Sequence, residues 1–185
     1  MTPDRLRGVR WGRLTAHADV RGSFREIWRR SSYPELDEAT TGRPDAAFVQ
    51  ANVSTSAAGV LRGMHYHRRQ LDHWVVLSGR AFVALVDVAA AAAGADRSAI
   101  AARELTADDW VSIPAGVAHG FLAIEPLQLL YLVTNEYDGT DELGFAWDDP
   151  AVGIEWPKVR GAAPILSERD QRNPTLHALV ATLRD

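Results

Sequence analysis

The chain has no cysteine, and Lys158 is the only lysine among its 20 basic residues. Without thiols, neither disulfide nor thiolate chemistry is available. The remaining basic groups are arginines, whose forked guanidinium suits bidentate phosphate contacts; a base-composition bias in the genome explains the same excess. No apolar run is long enough to span a bilayer, which predicts no membrane association. Residues 1–13 carry basic groups with no apolar signal segment behind them, so cytoplasmic residence is expected. A net charge of −4 argues against a general nucleic-acid binder. With 46% hydrophobic residues, disorder is not expected. The 185 residues suffice for one domain with a substantial core, and no repeat or linker divides them, so residues 1–185 are read as a single domain.

What is present is alternation. Period-two patterns with β-branched or aromatic residues predict strands over 23–29, 47–54, 60–66, 73–77, 80–88, 100–105, 110–113, 120–124 and 127–134. Turn signals such as Ser78-Gly79, Pro114 to Gly116 and Glu125-Pro126 separate them. Many short strands at close spacing predict an all-β sandwich or barrel, and closure into a barrel would remove exposed strand edges. Residues 31–43 read as a loop with a short helix, and the alanine-rich 89–95 as one helical turn or a loose loop. The tail from 173 to 185 has Leu176, Leu179, Val180 and Leu183 at helical spacing, with Asn173 as candidate cap and Pro174 at the first helical position.

The chemically capable side chains concentrate in two short stretches, one with His65, His67 and Asp72, the other with His119. Residues two apart on a strand face the same side, so His65 and His67 point together. Burying two imidazoles requires two hydrogen-bond partners, which favours a functional reading. Gly59, His65, His67, Asp72 and Gly79, followed by Pro114, Gly116 and His119, resemble the two metal-binding blocks of the cupin superfamily, with Asp72 at the usual glutamate. Three imidazoles and a carboxylate suit a divalent transition metal, so His65, His67, Asp72 and His119 form a candidate metal set.

A longer resemblance runs in order along the chain. It includes Asp19-x-Arg21-Gly22-Ser23-Phe24-x-Glu26, Phe48-Val49-Gln50-x-Asn52-x-Ser54 and Gly59-Val60-Leu61-Arg62-Gly63-x-His65-Tyr66. It continues with Ile113-Pro114-x-Gly116-x-Ala118-His119-Gly120-Phe121, Tyr131-x-x-Thr134-x-x-Tyr137, Trp147-x-Asp149-Pro150 and Leu166-Ser167-Glu168-Arg169-Asp170. The chain thus resembles the dTDP-4-dehydrorhamnose 3,5-epimerases, cupin-fold enzymes acting on nucleotide-linked 4-keto-6-deoxy sugars. The resemblance implies a jelly-roll homodimer with short peripheral helices, a dTDP-4-keto-6-deoxyhexose substrate and no cofactor. It assigns His65 as general base, Asp170 as the carboxylate that orients it and Tyr131 as general acid. Tyr137 matches the aromatic that stacks on the thymine. Arg21, Glu26, Gln50, Asn52, Arg62, His119 and Glu142 match substrate-contacting positions, and Arg21 is a candidate to cross a dimer interface.

Each assignment has a plain alternative. Arg21 and Glu26 could form a surface ion pair, and Gln50 and Asn52 could face solvent. Tyr131 and Tyr137 could be ordinary core aromatics, and Asp170 could cap the C-terminal helix. His17 and His177 read as exposed and without a role, and Trp28, Trp74, Trp110, Trp147 and Trp156 as packing residues.

The pattern breaks in one place. The family has Gln-x-Lys where this chain has Gln70-Leu71-Asp72, and usually Gln where it has His67. The lysine normally faces the C4 oxygen and stabilises the enolate. Putting an anion there opposes the reaction, by roughly 4 kcal/mol for one pair about 4 Å apart at an effective dielectric near 20. A divalent cation could take over the lysine's task. Alternatively, Asp72 could pair with Arg68, Arg69 or His73. Rival readings are therefore a metal-dependent cupin enzyme, a 3,4-ketoisomerase (which the His-x-His run also resembles) and a non-catalytic nucleotide-sugar binding protein.

Overall fold

The computed structural model describes residues 6, 8–32, 47–93 and 99–184. Among these residues twelve strands run in chain order: β1 (Arg10–Arg13), β2 (Ala16–Asp19), β3 (Gly22–Arg25), β4 (Gln50–Ser56), β5 (Leu61–Tyr66), β6 (Asp72–Ser78), β7 (Arg80–Asp87), β8 (Ile100–Thr106), β9 (Asp109–Ile113), β10 (Val117–Ala123), β11 (Leu127–Val133) and β12 (Leu143–Gly144). They form a five-stranded sheet in the order β1-β9-β6-β11-β4, a second in the order β12-β5-β10-β7-β8, and a separate β2–β3 hairpin. The pairings within all three sheets are antiparallel. The sheets are not closed into a barrel, so the sandwich of the two expected forms is the one adopted. β4 remains an open edge, with Val53 on it 57% exposed.

Alternation builds the core between the sheets. Trp74, Val76, Val111, Ile113, Leu127 and Leu129 of the first sheet meet Val83, Leu85, Leu105, Val117 and Phe121 of the second. Burying each large aliphatic side chain contributes about 1.5–3 kcal/mol. The second sheet is buried on its outer face too. There Met64, Tyr66, Val86 and Ala118 pack against Phe145, Leu176, Leu179 and Val180. Double coverage explains why β10 is buried at every position.

Among the described residues there are also three short helices: α1 (Val88–Ala92), α2 (Glu168–Gln171) and α3 (Leu176–Arg184). α1 is the alanine-rich turn, capped by Asp87, whose side chain accepts from the Ala90 N–H at 2.9 Å. Residues 94 and 95 lie outside the described residues. The 31–43 reading also falls mostly outside them, after a 3-10 turn at Arg30–Ser32. α3 starts later than expected, and Asn173 does not cap it. The Thr175 hydroxyl accepts from the Ala178 N–H at 3.2 Å, and Asp149 accepts from the Leu176 N–H at 2.7 Å. An acceptor from outside the helix thus satisfies an N–H that a sequence pattern assigns to a local cap.

The expected strand over 23–29 ends at Arg25, and β1, β2 and β12 were not expected. β2 is exposed at all four positions, so it carries no inside–outside pattern to read.

Candidate active site

A cavity of about 740 Å³ opens between the sheets. That is the size range of small-molecule sites. Asn52, Asp72 and Tyr131 line it from the first sheet, and Arg62, His65 and His119 from the second.

The position of His65 follows from strand periodicity. Met64 and Tyr66 turn outward into the packing under α3, so His65 turns inward, opposite His119 in the β5–β10 register. The register then shifts between His119 and Phe121. Gly63 and Gly120 make that shift possible. A Cβ on Gly63, where φ is +134°, would lie 2.6 Å from the Gly120 Cα. Only two glycines allow the backbones to approach so closely.

Behind His65 stands Asp170. The His65 Nε2 is 2.8 Å from Asp170 Oδ1, and the Gly63 N–H donates to Oδ2 at 3.4 Å. Asp170 sits in α2, where its own N–H bonds the Ser167 hydroxyl at 3.1 Å. It therefore belongs to this helix and does not cap the C-terminal one. Burial pushes its carboxyl up, but His65, the Gly63 N–H and the Ser167 hydroxyl together outweigh burial and hold it below the usual value. An ionised Asp170 fixes the neutral His65 tautomer with its proton on Nε2 and leaves Nδ1 as the basic nitrogen.

Tyr131 comes from the other sheet, where it pairs with Asn52 of β4 and Trp74 of β6. Burial raises its phenol above the ordinary value, against a lowering influence from Arg62; Asp72 and Glu142 raise it further. The group keeps its proton at neutral pH. Gln50 and Asn52 face the cavity and not open solvent. Gln50 donates to Asn52 at 3.0 Å and accepts from the Tyr137 N–H at 2.9 Å. This places the Tyr137 ring, 70% exposed, along the cavity wall and not in the core. Glu142 also lines the cavity and pairs with Arg169.

A second cluster faces the same space. His67, Asp72 and His119 place their donor atoms within 4.8 Å of one another. The His67 and His119 rings are 5.4 Å apart, and Trp74 packs edge-on against His119 at 5.1 Å. Burial lowers His119 to about 4; His67 and His65 add to this, and Asp72 opposes it. The four-residue metal set expected from the sequence is corrected here, because His65 bonds Asp170 and stands outside the cluster. The other proposed partners of Asp72 are committed elsewhere. The Arg68 guanidinium bonds the Thr182 carbonyl at 3.3 Å, the Arg69 guanidinium bonds the Thr140 hydroxyl at 3.2 Å and pairs with Asp138 and Asp141, and the His73 ring bonds Ser112 at 2.8 Å. Asp72 instead accepts from Gln70 at 3.0 Å.

Two expected substrate contacts are not brought to this cavity. Arg21 lies in the turn of the β2–β3 hairpin, its side chain 86% exposed and 2.5 Å from Asp19. Glu26 follows the hairpin and pairs with Arg29. Both form surface ion pairs, but with near neighbours and not with each other. His17 and His177 are exposed, as expected. The sequence reading missed Ser54, Gln70 and Arg169 as cavity residues. Ser54 continues the Gln50, Asn52 alternation, and Gln70 is two positions from Asp72, so the same period-two rule identifies both.

The comparisons with known proteins agree with this geometry. The family model for dTDP-4-dehydrorhamnose 3,5-epimerase matches residues 3–178. The chain is 36% identical over 163 residues to the dTDP-4-dehydrorhamnose 3,5-epimerase of Pseudomonas aeruginosa, covering 83% of each protein. It is 34% identical over 165 residues to that of Sinorhizobium fredii, covering 85% of this chain and 80% of the relative. Among solved structures, it is similar to the rmlC epimerase of Mycobacterium tuberculosis, with a TM-score of 0.82 and 31% identity over 100% of this chain and 92% of that one. It is also similar to a 3'-monoepimerase from Streptomyces bikiniensis in complex with dTDP-quinovose, with a TM-score of 0.79 and 28% identity, covering 100% and 91% of the two chains. The fold is therefore that of the cupin-type epimerases, and the chain belongs to the dTDP-4-dehydrorhamnose 3,5-epimerase family.

Proposed function

We propose that this protein epimerises a dTDP-linked 4-keto-6-deoxyhexose at C3, C5 or both, within residues 1–185 acting as one catalytic domain. The observation that carries the reading is the opposition of His65, backed by Asp170, to Tyr131 on the facing sheet of one cavity.

The ketone at C4 acidifies the protons on C3 and C5. His65 Nδ1 takes one of them. The C–H electron pair becomes a carbon–carbon double bond, and the carbonyl pair moves to oxygen as an enolate. Tyr131 then delivers its proton to the same carbon from the opposite face, and the centre is inverted. Proton out and proton in balance, so the sequence needs no redox cofactor. Tyr137 at the cavity wall suits stacking on the thymine. Gln50, Asn52, Arg62, His119 and Glu142 line the space left for the sugar diphosphate.

The same proposal includes a homodimer. The exposed hairpin carries Val20 and Phe24, 105% and 68% exposed, beside Arg21. Docked on a second copy, it would cover apolar surface and carry Arg21 toward the partner's cavity. A cytoplasmic location belongs to this reading; among the described residues no helix is long and apolar enough to cross a membrane.

The test is proton NMR of dTDP-4-keto-6-deoxyglucose with the protein in deuterated buffer. Deuterium is expected at C3, at C5 or at both, with inverted product. Absence of exchange at both centres sinks the reading.

A further inference from the structure

We propose that His67, Asp72 and His119 hold a divalent transition-metal cation at the cavity wall, and that this cation faces the C4 oxygen of the sugar. The inference rests on the epimerase reading for its substrate, but the binding site stands on its own geometry.

The three donor atoms already lie within 4.8 Å of one another. A cation with bonds of about 2.0–2.2 Å bridges such a span after small side-chain rotations. Both imidazoles are oriented for ligation by bonds on their far nitrogens. The His67 Nδ1 is 2.6 Å from the Asp141 carbonyl, and the His119 Nδ1 is 3.2 Å from the Val117 carbonyl. A carbonyl only accepts, so each ring carries its proton on Nδ1 and presents the Nε2 lone pair. This is the arrangement by which backbone acceptors fix metal-ligating histidines. The His67 Nε2 points at Asp72, 3.8 Å from its carboxylate. Gln70 holds that carboxylate from the side at 3.0 Å.

Charge gives the second argument. Asp72 is 3% exposed and lines the same cavity as His65 and Tyr131. An anion there disfavours an enolate, whereas an anion holding a divalent cation presents net positive charge to it. Two imidazoles and one carboxylate suit zinc, iron, nickel or cobalt and leave coordination positions open. An open position toward the cavity takes the C4 ketone oxygen, and the cation then stabilises the enolate oxygen while His65 holds the abstracted proton. His65 is not a ligand, because Asp170 engages it.

The experiment uses the whole chain, stripped with chelator and titrated with Co2+ by calorimetry and visible absorption. One Co2+ per chain is expected, with ligand-field bands and proton release below that of a cysteine site. His67→Gln and Asp72→Asn should each weaken binding by more than about tenfold. His65→Asn, which removes the base and spares the ligands, should leave it within about twofold. Zn2+ should raise the melting temperature of the wild type, which keeps the test decisive where a variant fails to fold. No stoichiometric binding, no thermal shift, or equal binding by the ligand variants overturns the site. Deuterium exchange measured alongside separates the two readings. Exchange without metal binding removes the metal site and keeps the epimerase; metal binding without exchange, in stripped and loaded protein alike, does the reverse.

Discussion

His65 and Asp170 are 105 positions apart in the chain and 2.8 Å apart in space, joined by one hydrogen bond at the back of the cavity. Replacing Asp170 by Asn leaves the side chain's shape and removes its charge. General acid–base groups contribute typically about 10²–10⁴ in rate. Asp170→Asn and His65→Gln are therefore both expected to lower kcat by about that range, read in the deuterium-exchange assay. Because the Asp170 carboxyl is held low by its partners, it stabilises the fold above the unfolded value near 3.9 and loses that contribution as pH falls through the lower folded value. The melting temperature of Asp170→Asn should lie below wild type at pH 7, and the gap should close in acid below about pH 4.

Tyr131→Phe separates the two proton transfers. His65 can still remove a proton and return a deuteron on its own face. Exchange with retention should persist, while formation of the inverted product falls by about 10²–10⁴. Equal loss of exchange and inversion would place the acid elsewhere.

Gly63→Ala tests the close approach of β5 and β10. The added methyl meets the Gly120 backbone at 2.6 Å, and the residue sits at a φ of +134°. Backbone strain and overpacking each cost about 1–3 kcal/mol. A denaturant midpoint lowered by the corresponding amount is expected, with loss of the Gly63 bond to Asp170. A midpoint unchanged from wild type contradicts the geometry.

The pH dependence of stability should carry the signature of His73. Burial lowers its pKa to about 4, from 6.5 in the unfolded chain. Between those values the unfolded state binds a proton that the folded state refuses, so stability rises with pH across about 4 to 6.5 and is flat above. The shift corresponds to about 3 kcal/mol. His73→Gln, which keeps a polar group toward Ser112, should make this acid limb shallower in urea titrations.

Arg21→Ala tests the dimer. If the hairpin reaches a second copy, the substitution should raise KM more than it lowers kcat. Phe24→Asp should shift the protein toward monomer in light scattering. A monomeric wild type with unaltered KM in Arg21→Ala would remove the partner contribution.

Much of this site was legible in the sequence because a strand has a period of two. That rule turned His65 and His67 the same way and linked Gln50 to Asn52. It was not applied where a residue fell between an expected turn and an expected strand. His119 lies after the Pro114-Ala115-Gly116 turn and just before the strand expected over 120–124, yet β10 begins at Val117 and His119 is its third residue. Asp170 was legible only through the family resemblance, since no local pattern connects a short C-terminal helix to a strand so distant. The separation of His65 from the His67, Asp72 and His119 cluster was not legible either. It depends on which carboxylate reaches which ring, and two carboxylates compete for the same short stretch.

A ribosome that has delivered β5 has delivered a histidine with nothing behind it. Only when residue 170 has cleared the exit tunnel and α2 has docked can the His65–Asp170 bond form. On the proposed mechanism, a chain cut short before α2 would therefore keep every strand of the cavity yet lose the carboxylate that orients its base.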